Sequence, residues 1–180
     1  MEQLKHPFAL VFSGKISTGK SSITNHLSEI LHSPKTSFGD YVRRIANENG
    51  LSNEREILQN IGQELVNTIP TKFCLQVLDQ IDWKGKTFLI EGVRHEKVLH
   101  VLKDIIKPTP VYHIHLLLDE KLRIERMGDK SISKVEQFDS HKTESDVLDV
   151  FPNIADLCLD ARHSIEDLGM ILIKWLETKL

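Results

Sequence analysis

The stretch FALVFSGKISTGKSS, residues 8–22, decides how the rest of the chain is read. Its first five residues, Phe8 to Phe12, form an unbroken apolar run rich in strand-favouring side chains, as a strand buried on both faces requires. Gly14-Lys15-Ile16-Ser17-Thr18-Gly19-Lys20-Ser21 follows at once and fits G-x-x-x-x-G-K-[ST] at every fixed position. Backbone N–H groups can encircle a polyphosphate only where no side chain blocks the approach, and Gly14 and Gly19 leave that approach open. A helix beginning near Lys20 adds its positive end. Lys20 then neutralises charge between the β- and γ-phosphates, and the Ser21 hydroxyl is a ligand for Mg²⁺. Lys15, Ser17, Thr18 and Ser22 complete the loop's nucleotide-binding candidates. ATP with Mg²⁺ is the implied cofactor.

Outward from the loop, short apolar runs alternate with stretches of helical period, the sign of an α/β fold with a parallel sheet. Strands are expected at Phe8 to Phe12, Thr87 to Ile90, Val111 to Leu118 and Leu157 to Leu159. Helices are expected near Lys20 to Leu31, Tyr41 to Glu48, Glu54 to Asn67, Lys72 to Ile81, His95 to Ile106, Glu120 to Met127 and Ser164 to Thr178. In the last, Ile165, Leu168, Leu172 and Trp175 or Leu176 recur three or four residues apart and make one apolar stripe. Gly128 to Asp149 is rich in Asp, Glu, Lys, Ser and Thr and reads as an exposed stretch.

Composition bounds the function. The chain has 180 residues, 40% of them hydrophobic and 27% charged, enough for one domain with a sizeable core. A formal charge of -3 argues against holding nucleic acid or an acidic membrane by bulk positive charge. The amino terminus is short and mixed in charge and no apolar run approaches ~20 residues, so a cytoplasmic location is expected. Cys74 and Cys158 sit among apolar neighbours and are expected to be buried, reduced thiols. Of the nine histidines, His113 and His115 share one face of a strand, where packing is a better reading than metal ligation.

Three further motifs, in order and spacing, resemble the P-loop nucleoside and nucleotide kinases, of which adenylate kinase is one. They are Ser37-Phe38-Gly39-Asp40-Tyr41-Val42-Arg43, Phe88-Leu89-Ile90-Glu91-Gly92-Val93-Arg94, and Arg123-x-x-Arg126. The resemblance implies the three-layer P-loop NTPase fold, a parallel sheet flanked by helices, and ATP-dependent phosphoryl transfer. It implies an acceptor-binding helical region at about 38–82 and a short lid at about 120–142. Arg43 and Arg94 would grip the acceptor's phosphate, Glu91 would stand near Mg²⁺, and Arg123 with Arg126 would stabilise the moving phosphoryl group. Arg55, Gln59 and Gly62 resemble a helix lining the acceptor pocket, with Gln59 a substrate contact.

Gly92-Val93-Arg94 lacks the proline that adenylate kinases carry between glycine and arginine, and the Arg-rich motifs of the long-lid forms are absent. The resemblance is closer to short-lid kinases, including phage-type deoxynucleoside monophosphate kinases and dephospho-coenzyme A kinases. Ala155 to Ala161 resembles the last strand and the turn that touches adenine, with Ala161 and Arg162 where relatives often carry Asp-Asn.

The expected acceptor is a nucleoside monophosphate or deoxy analogue, with the protein a monomer or homodimer acting on small-molecule nucleotides. A hydroxyl acceptor such as dephospho-coenzyme A or a nucleoside would need a carboxylate beside it, for which Asp40 is the candidate and Glu91 the second. A nucleotide-binding regulatory module with little or no transfer is the rival from another class. Six basic residues, Lys20, Arg43, Arg44, Arg94, Arg123 and Arg126, are candidates for one cleft, which leaves 17 basic against 26 acidic residues elsewhere. A basic cleft in an acidic shell suits a small polyanion and not a long one.

Overall fold

The computed structural model describes residues 6–128 and 144–180, so the portion of the expected lid from 129 to 142 lies outside the described residues. Five strands, all parallel, form one sheet: β1 (Ala9–Gly14), β2 (Lys35–Ser37), β3 (Phe88–Glu91), β4 (Val111–Leu117) and β5 (Leu157–Asp160), in the order β2-β3-β1-β4-β5. Around it lie α1 (Lys20–Ile30), α2 (Phe38–Glu48), α3 (Arg55–Thr68), α4 (Pro70–Leu78), α5 (Glu96–Ile106), α6 (Glu120–Met127), α7 (Ser145–Asp149), α8 (Phe151–Ile154) and α9 (Ile165–Glu177).

Strand β1 is central and wholly buried, which is why its sequence shows no alternation. Its side chains alternate between two cores. Ala9 and Val11 join Phe88, Ile90 and the apolar faces of α2 to α5, with Val147 of α7 and Phe151 of α8 on the same side. Phe8, Leu10 and Phe12 join Ile23 and Leu27 of α1 and Leu168, Leu172 and Leu176 of α9. The stripe read from α9 is therefore the stripe it buries. Because α1 leads from β1 past β3 to β2, while α5 leads from β3 past β1 to β4, the chain reverses direction around β1. A crevice opens at the carboxyl ends of the strands at such a reversal, and the glycine-rich loop sits there.

Three expectations are corrected. Strand β2 is absent from the sequence reading because it has three residues, and the following helix begins at Phe38, three residues early, since the Ser37 hydroxyl accepts the Asp40 N–H at 3.2 Å and caps it. Cys74 is buried, but Cys158 is exposed: it lies on edge strand β5, with its thiol 3.5 Å from the Pro152 carbonyl oxygen of α8. The stretch expected to be exposed ends in structure, because Glu144 and Val147 are each 1% exposed. Apolar Val147 and Phe151 pull this polar segment into the core. No helix among the described residues is long and apolar enough to cross a membrane.

Candidate active site

At Gly14 the chain leaves β1 with φ +142°, and a Cβ there would come within 2.8 Å of the Leu116 carbonyl oxygen. Only glycine fits this turn. Ser17 and Gly19 also have positive φ, 62° and 90°, so the loop curls into a concavity of the kind that binds anions. Helix α1 opens at Lys20 with no side-chain cap, leaving its first N–H groups to a ligand. The Thr18 hydroxyl donates to the Lys15 carbonyl at 2.9 Å, bracing the curl.

Lys20 lies over this loop, its Nζ donating to the carbonyl oxygens of Gly14 and Lys15, each at 2.6 Å. Burial pushes its pKa from 10.5 down to about 7, with Arg94, Arg55 and Arg123 adding to the shift and Glu91 opposing it. Three guanidiniums thus act on Lys20 beside the glycine-rich loop. Such a site is short of negative charge, and a triphosphate supplies it.

Glu91, at the end of β3 and 8% exposed, faces α1. Its Oε2 accepts the Thr24 hydroxyl at 2.8 Å, and its Oε1 lies 3.3 Å from the Ser21 hydroxyl. A hydroxyl beside a carboxylate, both hard oxygen donors, fits Mg²⁺, which keeps several waters and takes few protein ligands. Among the described residues no group of three or more His, Cys, Asp or Glu could hold a metal, so an ion here relies on this pair and on phosphate.

Across the loop, Arg126 Nη2 donates to the Ala161 carbonyl at 2.8 Å, and its Nη1 is 3.9 Å from where a Gly19 Cβ would stand. Arg126, Gly19, Ser22 and the 161–164 turn border an open cavity of about 1160 Å³. Arg162 in that turn is tied to Asp160 at 2.5–3.0 Å. Arg123 is fully buried, 3.8 Å from Glu120, and close enough to Lys20 to perturb it. The spacing of Arg123 and Arg126 is also that of a solvated basic face; burial of Arg123 removes that reading.

A second cavity, about 630 Å³ including its open part, lies between α2, α3 and the segment after β3. Its floor is apolar, with Phe38, Val42, Leu58, Phe73 and Val98. Its polar lining comprises Arg43, Arg55, Gln59, Arg94 and His95. Arg55 and Gln59, four apart on α3, share one helix face. Gly92 turns with φ +84°, a conformation that side chains rarely adopt, and this turn delivers Arg94 into the cavity. Arg43 reaches the cavity while Arg44 does not: Arg44 lies 4.9 Å over the Tyr41 ring and 3.7 Å from Glu48. Asp40 is exposed, ion-paired to Arg43, and absent from the cavity lining among the described residues.

A family model described as an AAA domain matches residues 10–148. The chain belongs to that AAA domain family. Among the solved structures that share the fold of this AAA domain are several small-molecule kinases. One is the APS kinase of Mycobacterium tuberculosis in complex with AMPPNP and APS, at TM-score 0.65 and 15% identity, covering 96% of this chain and 98% of that one. Another is the shikimate kinase of Acinetobacter baumannii in complex with shikimate, at TM-score 0.63 and 14% identity, with 97% and 95% covered. A third is a gluconokinase from Sinorhizobium meliloti 1021, at TM-score 0.57 and 14% identity, with 92% and 89% covered. No curated protein matches the sequence. The P-loop kinase resemblance read from the motifs is borne out in the fold.

Sequence reasoning missed one residue of this AAA domain's cleft. Glu144, 1% exposed, places Oε1 against Arg94 as an ion pair, 2.9 Å from Arg55 Nη2 and 3.1 Å from Gln59 Nε2. One more acid in an acidic polar stretch carries no local signal; only folding brings it to three donors. Beneath the loop, the Ser13 hydroxyl lies 2.6 Å from His113 Nε2 and 2.7 Å from His115 Nδ1. Burial pushes the two imidazoles down to about 3 and about 4, so both are neutral at pH 7. They bind β4 to β1, the packing role expected of them.

Proposed function

We propose that this protein transfers the γ-phosphoryl group of ATP to a small phosphorylated acceptor, a nucleoside monophosphate or its deoxy analogue. The convergence of Arg94, Arg55 and Arg123 on Lys20, between the glycine-rich loop and a second cavity, carries the reading. The cavity's apolar floor suits a base and sugar, and its arginines suit a phosphate. ATP with Mg²⁺ supplies the phosphoryl group and the metal charge. Lys20 and Arg123 offset negative charge on the transferring group, and Arg126 stands beside the loop where the triphosphate chain enters. Ser21 and Glu91 would hold the Mg²⁺. Arg43 and Arg94 hold the acceptor so that one of its phosphate oxygens forms the new P–O bond as the bond to the β–γ bridging oxygen breaks and ADP leaves. Region 38–82 serves as the acceptor-binding part, and the segment from 120 to 142 as a short lid.

A hydroxyl acceptor is the second reading, favoured by the APS and shikimate bound in the two kinases that share the fold. The base would then be Asp40, after its side chain leaves Arg43, or Glu91.

A coupled ADP-release assay over nucleoside monophosphates, nucleosides, dephospho-coenzyme A and hydroxy acids tests the proposal. Turnover confined to monophosphates, reduced 10²-fold or more in Arg94→Ala and only mildly in Asp40→Asn, is the expected result. A severe loss in Asp40→Asn points to a hydroxyl acceptor. Silence across the panel with ATP still bound overturns the kinase reading in favour of a regulatory module.

A further inference from the structure

We infer that Glu144 is the positioning residue of the acceptor site, holding the Arg55 and Arg94 guanidiniums and the Gln59 amide in the arrangement that receives the acceptor's anionic group. The inference rests on the acceptor reading of the cavity given above. Arg55 and Gln59 come from α3, Arg94 from the turn after β3, and Glu144 from the segment entering α7, so one carboxylate joins three separate parts of the chain. Its Oε1 takes all three contacts, whereas Oε2 is buried with no hydrogen-bond partner among the described residues.

Two like-charged guanidiniums in one cleft repel each other, and both also act on Lys20. Without a shared counter-ion they would separate, and each long side chain would regain rotamers that an incoming anion must freeze again. Glu144 is well placed to prevent this because its own position is secured nearby. Val147 is 1% exposed in the core, and Asp146 Oδ2 accepts the Glu96 N–H at 2.8 Å at the start of α5. A carboxylate anchored by a core-packed helix suits a fixed strut better than a plug that must leave when the acceptor arrives. Glu144 is not among the described residues that line either cavity, so its effect passes through the two arginines it pairs with.

The test is titration of inorganic phosphate, followed calorimetrically, into protein saturated with a non-hydrolysable ATP analogue so that the loop is already filled. Wild type binds phosphate; Glu144→Ala binds it at least 10-fold more weakly, and Glu144→Gln, which keeps an accepting oxygen, recovers part of the loss. Affinity for the ATP analogue stays within two-fold in both variants, which general misfolding would not allow. If Glu144→Ala does not fold, Glu144→Gln alone is read, with at least three-fold weakening expected. Unchanged or tighter phosphate binding in the folded variants overturns the inference, the tighter case meaning that Glu144 competes with the anion. Absence of phosphate binding in wild type also overturns it, while leaving the kinase proposal to the substrate panel.

Discussion

Lys20 is the residue whose environment has the most direct consequence in solution. Its folded-state pKa of about 7 lies below the ordinary 10.5, so the unfolded chain holds more protons between those values. Stability of the nucleotide-free protein is therefore expected to rise with pH across that window, with the unfavourable charge fully present below pH 7. A bound triphosphate restores the proton. At pH 8 ATP binding should take up most of one proton, and at pH 6 much less, as read from calorimetry in buffers of different ionisation enthalpy. A buffer-independent enthalpy at pH 8 would contradict the placement of Lys20. Glu91→Gln should lower turnover by roughly 10²-fold and raise the Mg²⁺ requirement, because it removes the charge beside Ser21. The loop residues were legible from spacing, since their chemistry is local. Arg43, Arg55, Gln59 and Arg94 were legible through motif resemblance, whereas Glu144 and the exclusion of Arg44 from the cavity depend on how α7 and α2 pack.

At the scale of elements, α5 and α9, whose apolar residues recur at helical spacing, could be read to within a residue or two. Strand β2 could not, because three residues carry no period, and α7 could not, because its burial comes from Val147 within a polar stretch. The cap on α2 positions Gly39 and Arg43 at the cavity. Ser37→Ala should cost ~1 kcal/mol and lower Tm by ~2–4 °C, measured by thermal unfolding. Edge strand β5 gives a chemical check. Burial pushes the Cys74 thiol up to about 12, while Cys158 is exposed. A thiol-specific reagent should modify one of the two thiols in the native protein and both only after unfolding, with Cys158→Ser abolishing the native reaction.

For the molecule as a whole, one sheet with a core on each face joins the two cavities through β1 and β3, so ligand and fold are coupled. ATP at about 100 times its Kd should stabilise the protein by about 2.7 kcal/mol, raising Tm by roughly 5–10 °C, and Lys20→Ala should lose most of that gain. The net charge of -3 conceals a cleft built from Lys20, Arg43, Arg55, Arg94, Arg123 and Arg126, with Arg44 outside it and Arg55 within. Placement of these six side chains was only partly visible in the chain order, because α3 reaches the site across the fold. Phosphoryl transfer between the two cavities is tested most directly by ³¹P NMR of the protein with ATP, Mg²⁺ and the nucleoside monophosphate panel. Equal growth of ADP and of a nucleoside diphosphate derived from the acceptor is the predicted result. ADP appearing with inorganic phosphate alone, or an unchanged spectrum from protein that binds ATP, would contradict it.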